Sequence, residues 1–258
     1  MPTSFNMTFD DIAELYDAVR PSYPAELIDA IAANLPHANR RILEIGSGTG
    51  QATLPLARLG HSILTLEPGA RLAAIAAANL KEFPAVTVVK STFEDWPLEP
   101  ASFDLIVSAT AFHWVQPEIR YRKSARALKD NGSLALFWNV PADVDNALSH
   151  EIQQVYDRHM HGKRGASSRP TVSERMQTWV DEIDRSNLFG KVAALQFPWS
   201  EWLPTERYLQ LLDTYSDHAT LPAPNKRRLY DGIAEILSRN HGGMQKEYVA
   251  TLYMARKK

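Results

Sequence analysis

Apolar positions in the first half of the chain fall into short runs separated by stretches of helical spacing. The runs are Ile42-Leu43-Glu44-Ile45, Ser62 to Leu66, Val86 to Lys90, Phe103 to Ala109 and Ser133 to Asn139. Between them lie an alanine-rich segment from Ala70 to Leu80, opened by Pro68, and a segment from Pro117 to about Lys129, stopped by Asn131-Gly132. Short apolar runs bounded by turn residues read as buried strands, and apolar residues recurring every three or four positions read as helices. Strand and helix alternate, which predicts a parallel α/β sheet covered on both faces.

Upstream, residues 10 to 35 are predicted helical, with Ile12, Leu15, Tyr16 and Val19 on one face. Pro21 and Pro24 interrupt before a second helix from Ala25 to Leu35, which makes a jointed arm. Beyond Val140 the alternation stops. Ile152, Val155, Tyr156 and His159 share one helical face, as do Met176, Trp179, Val180 and Ile183, with a loop from Gly162 to Pro170 between them. A sixth strand from Val192 to Trp199, helices near Thr205 to Tyr215 and Asn225 to Ser238, and a last strand from Tyr248 to Met254 complete the pattern. The expected organisation is one domain: a helical arm over 1–35, a core over 36–140, and lid helices with the last two strands over 141–258. The lid would cover the carboxyl ends of the strands, where open α/β sheets bind ligands.

Composition narrows the partners. At 258 residues and 45% hydrophobic content the chain can bury a sizeable core. It has no cysteine, which excludes disulfides, thiolate metal sites and a cysteine nucleophile, and no metal site is expected. A net charge of −2 and a pI near 6.5 supply no basic field for a polyphosphate, which disfavours nucleic acid as the main partner. The basic run from Arg120 to Lys129 is expected to be the solvated face of its helix. Met1 to Asn6 lack a basic start followed by an apolar segment, and no stretch reaches the roughly 20 apolar residues that span a bilayer. A cytoplasmic protein with a small-molecule partner and no membrane partner is expected.

The candidate chemistry centres on Arg41 to Ala57. There the first strand meets Gly46-Ser47-Gly48-Thr49-Gly50 and then a helical run. Glycines allow positive φ and close approach of a ligand to the backbone, so the turn reads as a nucleotide cradle. Glu67 closes the second strand, where a carboxylate lies beside the glycine turn and can accept from both ribose hydroxyls. A solvated carboxylate at a strand end is the plain alternative. The dinucleotide fingerprint calls for a third glycine at the position that Gln51 occupies, so a nicotinamide-dependent oxidoreductase is disfavoured.

The loop Leu43-Glu44-Ile45-Gly46-Ser47-Gly48-Thr49-Gly50, with Glu67, resembles the S-adenosylmethionine site of class I methyltransferases, and the resemblance runs across nearly the whole chain. It implies a Rossmann-like, mostly parallel seven-stranded sheet and S-adenosylmethionine as cofactor. By that resemblance Glu44 accepts from the ammonium of the methionine tail, and Gly46, Ser47, Gly48, Thr49 and Gly50 offer amides to its carboxylate. Glu67 and Pro68 flank the ribose. Thr92 and Phe93 stand where relatives read adenine with an aspartate and the next amide, and Thr92 departs from aspartate. Thr110 to His113 occupy the loop that faces the transferable methyl, and Tyr16 is placed at the cofactor.

Methyl transfer asks a protein mainly to align a nucleophile, exclude water and stabilise shifting charge. His113 and Trp114 are candidates, the histidine to orient an acceptor or take its proton, the tryptophan face to attract a sulfonium. Each has the alternative of packing under a lid. The absence of cysteine rules out thiolate-assisted methylation of cytosine C5. Ala111-Phe112-His113-Trp114, Tyr16-Asp17-x-x-Arg20-Pro21-x-Tyr23-Pro24 and Thr214-Tyr215-Ser216-Asp217-His218 look like the small-molecule branch that includes trans-aconitate methyltransferases. A carboxylate acceptor needs a cationic clamp and no general base, and Arg20, beside Tyr16 and Tyr23, is the candidate clamp. A phenol or amine acceptor would instead give His113 or His218 a proton to take. A module that binds the cofactor without transferring methyl is the remaining alternative.

Overall fold

A computed structural model describes residues 9–35, 39–160 and 170–258; the N-terminal residues 1–8 and nearly all of the expected Gly162-to-Pro170 loop lie outside them. In chain order the elements are α1 (Ala13–Val19), α2 (Ala25–Ala33), β1 (Arg41–Ile45), α3 (Thr53–Ala57), β2 (Ser62–Leu66), α4 (Ala70–Asn79), β3 (Val86–Val89), β4 (Phe103–Ala109) and a 3-10 turn (Phe112–Trp114). There follow α5 (Pro117–Ala127), β5 (Leu128–Pro141), α6 (Ala147–His159), α7 (Val172–Ser186), β6 (Ala193–Pro204), α8 (Thr205–Asp213), α9 (Ser216–Ala219), α10 (Ala223–Arg239) and β7 (Gly243–Arg256).

The strands form one seven-stranded sheet in the order β3-β2-β1-β4-β5-β7-β6. The β3 to β5 half is parallel, as the alternation predicts, and β1 is buried from Ile42 to Ile45, as a strand inside a sheet covered on both faces is. The seven-stranded sheet is mostly parallel, as the resemblance implies, and β7 is the exception. β7 enters between β5 and β6 and runs antiparallel to both, pairing Phe137 with Leu252 and Leu195 with Leu252. The sheet is therefore mixed. No periodicity signal within a strand carries its direction, which follows from where the preceding helices deliver the chain.

The predicted helix over 117–129 stops at Ala127, and β5 starts at Leu128, before the expected Asn131-Gly132 stop signal. Asn131 takes up a positive φ of 66°, and the β4–β5 register shifts between Phe103 and Leu105. The Asn-Gly pair thus makes an irregularity inside the strand instead of a break before it. Buried apolar side chains pack on either face of the sheet, around Ile106, Leu136 and Tyr253 on one side and Ile42, Leu105 and Phe137 on the other. A third cluster joins α6, α8 and α10 through Ile152, Leu211, Leu229 and Ile233, and includes Val19 of α1. The N-terminal arm and the late helices share a core of their own.

Candidate active site

A cleft of about 1020 Å³ opens along the carboxyl ends of β1, β2 and β4. Gly46 and Gly48 form its floor with φ of 73° and 58°. A Cβ on Gly46 would lie 2.4 Å from that of Ala111, so only glycine lets the turn after β1 touch the loop after β4. Gly48 carries the ring of Tyr16, whose Cε1 would meet a Cβ at 3.4 Å.

The amides of this turn are engaged. Gly46 and Ser47 donate to the Leu66 carbonyl at 2.8 and 3.3 Å, Gly50 donates to the Ser47 carbonyl at 2.9 Å, and Gly48 donates to Glu67 Oε2 at 2.9 Å. Three of these bonds stitch the turn to the end of β2 and the fourth closes the turn on itself, so in this structure the four amides have partners within the chain. Thr49 and Gly50 face away from the main cleft and border a second hollow with Asp17 and Asn79.

Both carboxylates are inside. Glu44 is fully buried beneath the turn and is not on the cleft wall; Thr53 donates to its Oε2 at 2.6 Å, the Thr65 hydroxyl also acts on the carboxylate, and Oε1 has no hydrogen bond of normal geometry among the described residues. Burial pushes it up to about 7. Glu67 does reach the cleft with Pro68. Its Oε1 accepts from the Gly69 amide at 2.9 Å and its Oε2 from Gly48, yet burial outweighs these bonds and raises it to about 7. Each oxygen keeps a further lone pair for a ligand hydroxyl.

Thr92, Phe93, Thr110, His113 and Trp114 all border the cleft, as expected. Thr110 sits at a positive φ of 56°, and its hydroxyl meets the Tyr23 hydroxyl at 2.8 Å. The indole of Trp138 donates to His113 Nδ1 at 3.4 Å. An indole nitrogen only donates, so the neutral imidazole carries its proton on Nε2. Although His113 is exposed overall, desolvation of its ring by the groups packed around it, aided by the Arg120 charge, pushes it down to about 4. The Trp114 ring lies 4.8 Å from His113 and 6.2 Å from Phe9, and is among the most exposed large apolar side chains.

From the arm, Tyr16, Arg20 and Tyr23 reach the same cleft. The Arg20 guanidinium is held between the rings of Tyr16 and Tyr215, 4.8 and 4.9 Å from their centroids, and donates through Nη2 to the Thr214 carbonyl at 2.5 Å. Its Nε has no partner, and no carboxylate pairs with it among the described residues. Cation–π contact with two rings offsets part of its desolvation.

Arg122 and Arg126 of the basic run are exposed on α5 as expected, but two residues depart from expectation. Arg120 is not on a solvated face: it is buried, pairs with Glu182 and lies over the rings of Phe112, Tyr121 and Trp179. Lys123, one turn on, donates to the carbonyls of Glu94 and Trp96 at 2.9 and 2.5 Å. These cations brace the loops after β3 and β4, a role that the charge pattern of α5 alone does not reveal. His218 is buried between the hydroxyls of Tyr156 and Tyr230, each 3.3 Å from a ring nitrogen, and does not border the cleft. It therefore has no acceptor proton to take. Sequence reasoning missed Gln51, Asp95, Asn139 and Arg175 on the cleft wall. Only tertiary contact brings them there; the β3 loop composition was the one usable signal, for Asp95.

The chain matches the family model described as a methyltransferase domain over residues 43–136. It is 28% identical to an uncharacterised methyltransferase of Mycobacterium tuberculosis, over 97% of this chain and 96% of that protein. It is 30% identical to an uncharacterised methyltransferase-like protein of Schizosaccharomyces pombe, over 88% of this chain and 84% of that one. Among solved structures, a candidate Type II methyltransferase from Anaeromyxobacter dehalogenans superposes with a TM-score of 0.63 at 26% identity, covering 92% of this chain and 96% of that one. With the glycine turn, the two buried carboxylates and the cleft above them, these likenesses identify the chain as a member of the class I S-adenosylmethionine-dependent methyltransferases.

Proposed function

We propose that this methyltransferase acts on a carboxylate oxygen of a small molecule, as the resemblance to trans-aconitate methyltransferases implies, with Arg20 as the clamp. The observation that carries the reading is Arg20 itself: a guanidinium on the cleft wall, stacked between two tyrosines, with Nε unpartnered and no carboxylate beside it among the described residues. The Nε–H of this half-buried guanidinium lacks an acceptor among the described residues, and an anionic acceptor supplies one together with a counter-charge.

The cleft suits the methyl donor. Glu67 retains acceptor capacity toward ribose hydroxyls, Gly46 lets the loop after β4 lie against the turn where a Cβ would meet Ala111, and the ammonium that the resemblance assigns to Glu44 would have to be met from beneath the turn, where that carboxylate is buried. When bound, the donor supplies an electrophilic methyl on sulfur. The chain's own residues then orient and enclose. Arg20 fixes the acceptor carboxylate, His113 offers an Nε2 proton to a polar atom of the acceptor, and the Trp114 face favours positive charge by about 0.5–2 kcal/mol. Tyr16 touches both the glycine turn and Arg20, which links the two ends of the cleft. In this reading the arm and the helices of residues 147–239 close over the strand ends, and the chain works as one cytoplasmic domain.

A phenol or amine acceptor is less well supported, because the Trp138 bond leaves His113 presenting a donor in place of a base. The experiment is S-adenosylhomocysteine release with a panel of small carboxylates, phenols and amines. Carboxylates should be methylated with a KM that rises at least about tenfold in Arg20→Ala and less in Arg20→Lys. Turnover confined to phenols or amines would refute the carboxylate reading.

A further inference from the structure

His218 is absent from the cleft wall, yet a polar network is built around it. A fully buried imidazole is costly unless its nitrogens are met, and here Tyr156 and Tyr230 meet both. Tyr230 gives its one hydroxyl proton to Asp213 Oδ1 at 3.0 Å, and Asp213 is paired with Lys226 at 2.5 Å. Toward His218 the Tyr230 oxygen must therefore accept, so Nδ1 of the imidazole donates. Through these contacts α9 is tied to α6, α8 and α10. A four-residue helix such as α9 does not hold itself, and this network supplies its anchorage.

The break between α8 and α9 is what serves Arg20. In a continuous helix the His218 amide would donate to the Thr214 carbonyl, four residues back. Tyr215 is extended instead, with ψ of 132°, and the His218 amide donates to the Tyr215 carbonyl at 3.0 Å. The Thr214 carbonyl is thereby released, and Arg20 Nη2 takes it at 2.5 Å. The same break turns the Tyr215 ring onto the guanidinium, while the edge of that ring meets the imidazole of His218 at 6.1 Å between centroids. We propose that His218 is a positioning residue for acceptor binding: pinned between Tyr156 and Tyr230, it holds the break that gives Arg20 both its carbonyl and its second ring. This rests on the reading of Arg20 as the acceptor clamp.

The test is the rate at which phenylglyoxal labels Arg20 in the full chain, read by peptide mass spectrometry, with the buried Arg120 as internal control. His218→Phe keeps a ring and removes both nitrogens; it should speed labelling of Arg20 about three- to tenfold and leave Arg120 unchanged. With the small carboxylates of the panel above, it should raise KM by a similar factor while kcat and S-adenosylhomocysteine affinity stay at wild-type values. Added to Arg20→Ala it should raise KM no further, because it acts through Arg20. His218→Asn, whose amide can still donate to Tyr230, should recover part of the protection. Should His218→Phe fail to fold, Tyr230→Phe is read by the same labelling. Folded variant protein with wild-type labelling of Arg20, or with equal acceleration at Arg20 and Arg120, would overturn the proposal. An unchanged KM in Arg20→Ala itself would overturn the clamp reading beneath it, a distinguishable result.

Discussion

The Gly48 amide donates to Oε2 of Glu67 at 2.9 Å, so the glycine turn after β1 and the residue closing β2 form one hydrogen-bonded corner of the cleft. Burial raises the Glu67 carboxyl from an ordinary value of 4.5 to about 7, so the folded chain holds this proton more tightly than the unfolded chain. Its contribution to stability is full below the ordinary carboxylate range and is lost as pH climbs through about 7. Glu67→Gln should remove that slope and, because its carboxamide can accept from only one of the Gly48 and Gly69 amides, should leave the protein less stable than wild type at pH 5 by about 1–3 kcal/mol. Denaturant melts at pH 5 and pH 8 read the effect; equal pH slopes in the two proteins would count against it. The same variant should bind S-adenosylhomocysteine more weakly than wild type at pH 8.

Gly46→Ala should destabilise the fold by about 2–4 kcal/mol, since the new methyl meets Ala111 at 2.4 Å and the backbone is left-handed there. It should also abolish cofactor binding by pushing away the loop that carries His113. Ala111→Gly added to it removes the clash but not the strained φ, so thermal melts should show partial rescue. No rescue would mean that the contact is not the cause.

His113, pushed down to about 4, stays neutral from pH 5 to 8. The pH profile of kcat/KM should therefore contain no inflection in that range that His113→Gln removes. An inflection near pH 6.5 that disappears in the variant would contradict this placement. Trp138→Phe, which deletes the indole donor to Nδ1, should free the ring to choose its tautomer and raise KM for the acceptor.

Asp10 accepts from the Arg71 and Leu72 amides at 2.6 and 3.0 Å, capping α4 from outside its own segment. Asn79 donates to Asp17 at 3.0 Å at the other end of the same helix. Asp10→Ala should cost about 1 kcal/mol and speed hydrogen exchange over 9–24 as well as at the start of α4. S-adenosylhomocysteine should slow exchange over 9–24, because Tyr16 and Arg20 border the cleft; unchanged exchange would argue against closure of the arm on the cofactor.

Local pattern was sufficient for the parallel half of the sheet, the glycine turn and Glu67. Each rests on residues near in sequence, and period, turn chemistry and strand-end position are local properties. Thr92, Phe93, His113 and Trp114 were legible for the same reason, as residues just past strands three and four. Tertiary structure decided the rest. The antiparallel insertion of β7, the burial of Arg120 against Glu182, the removal of His218 from the cleft and the stacking of Arg20 on Tyr215 all join segments far apart in the chain. A carboxylate or guanidinium reads the same in sequence whether it faces water, a ring or a ligand. Only the packing around it sets which it meets.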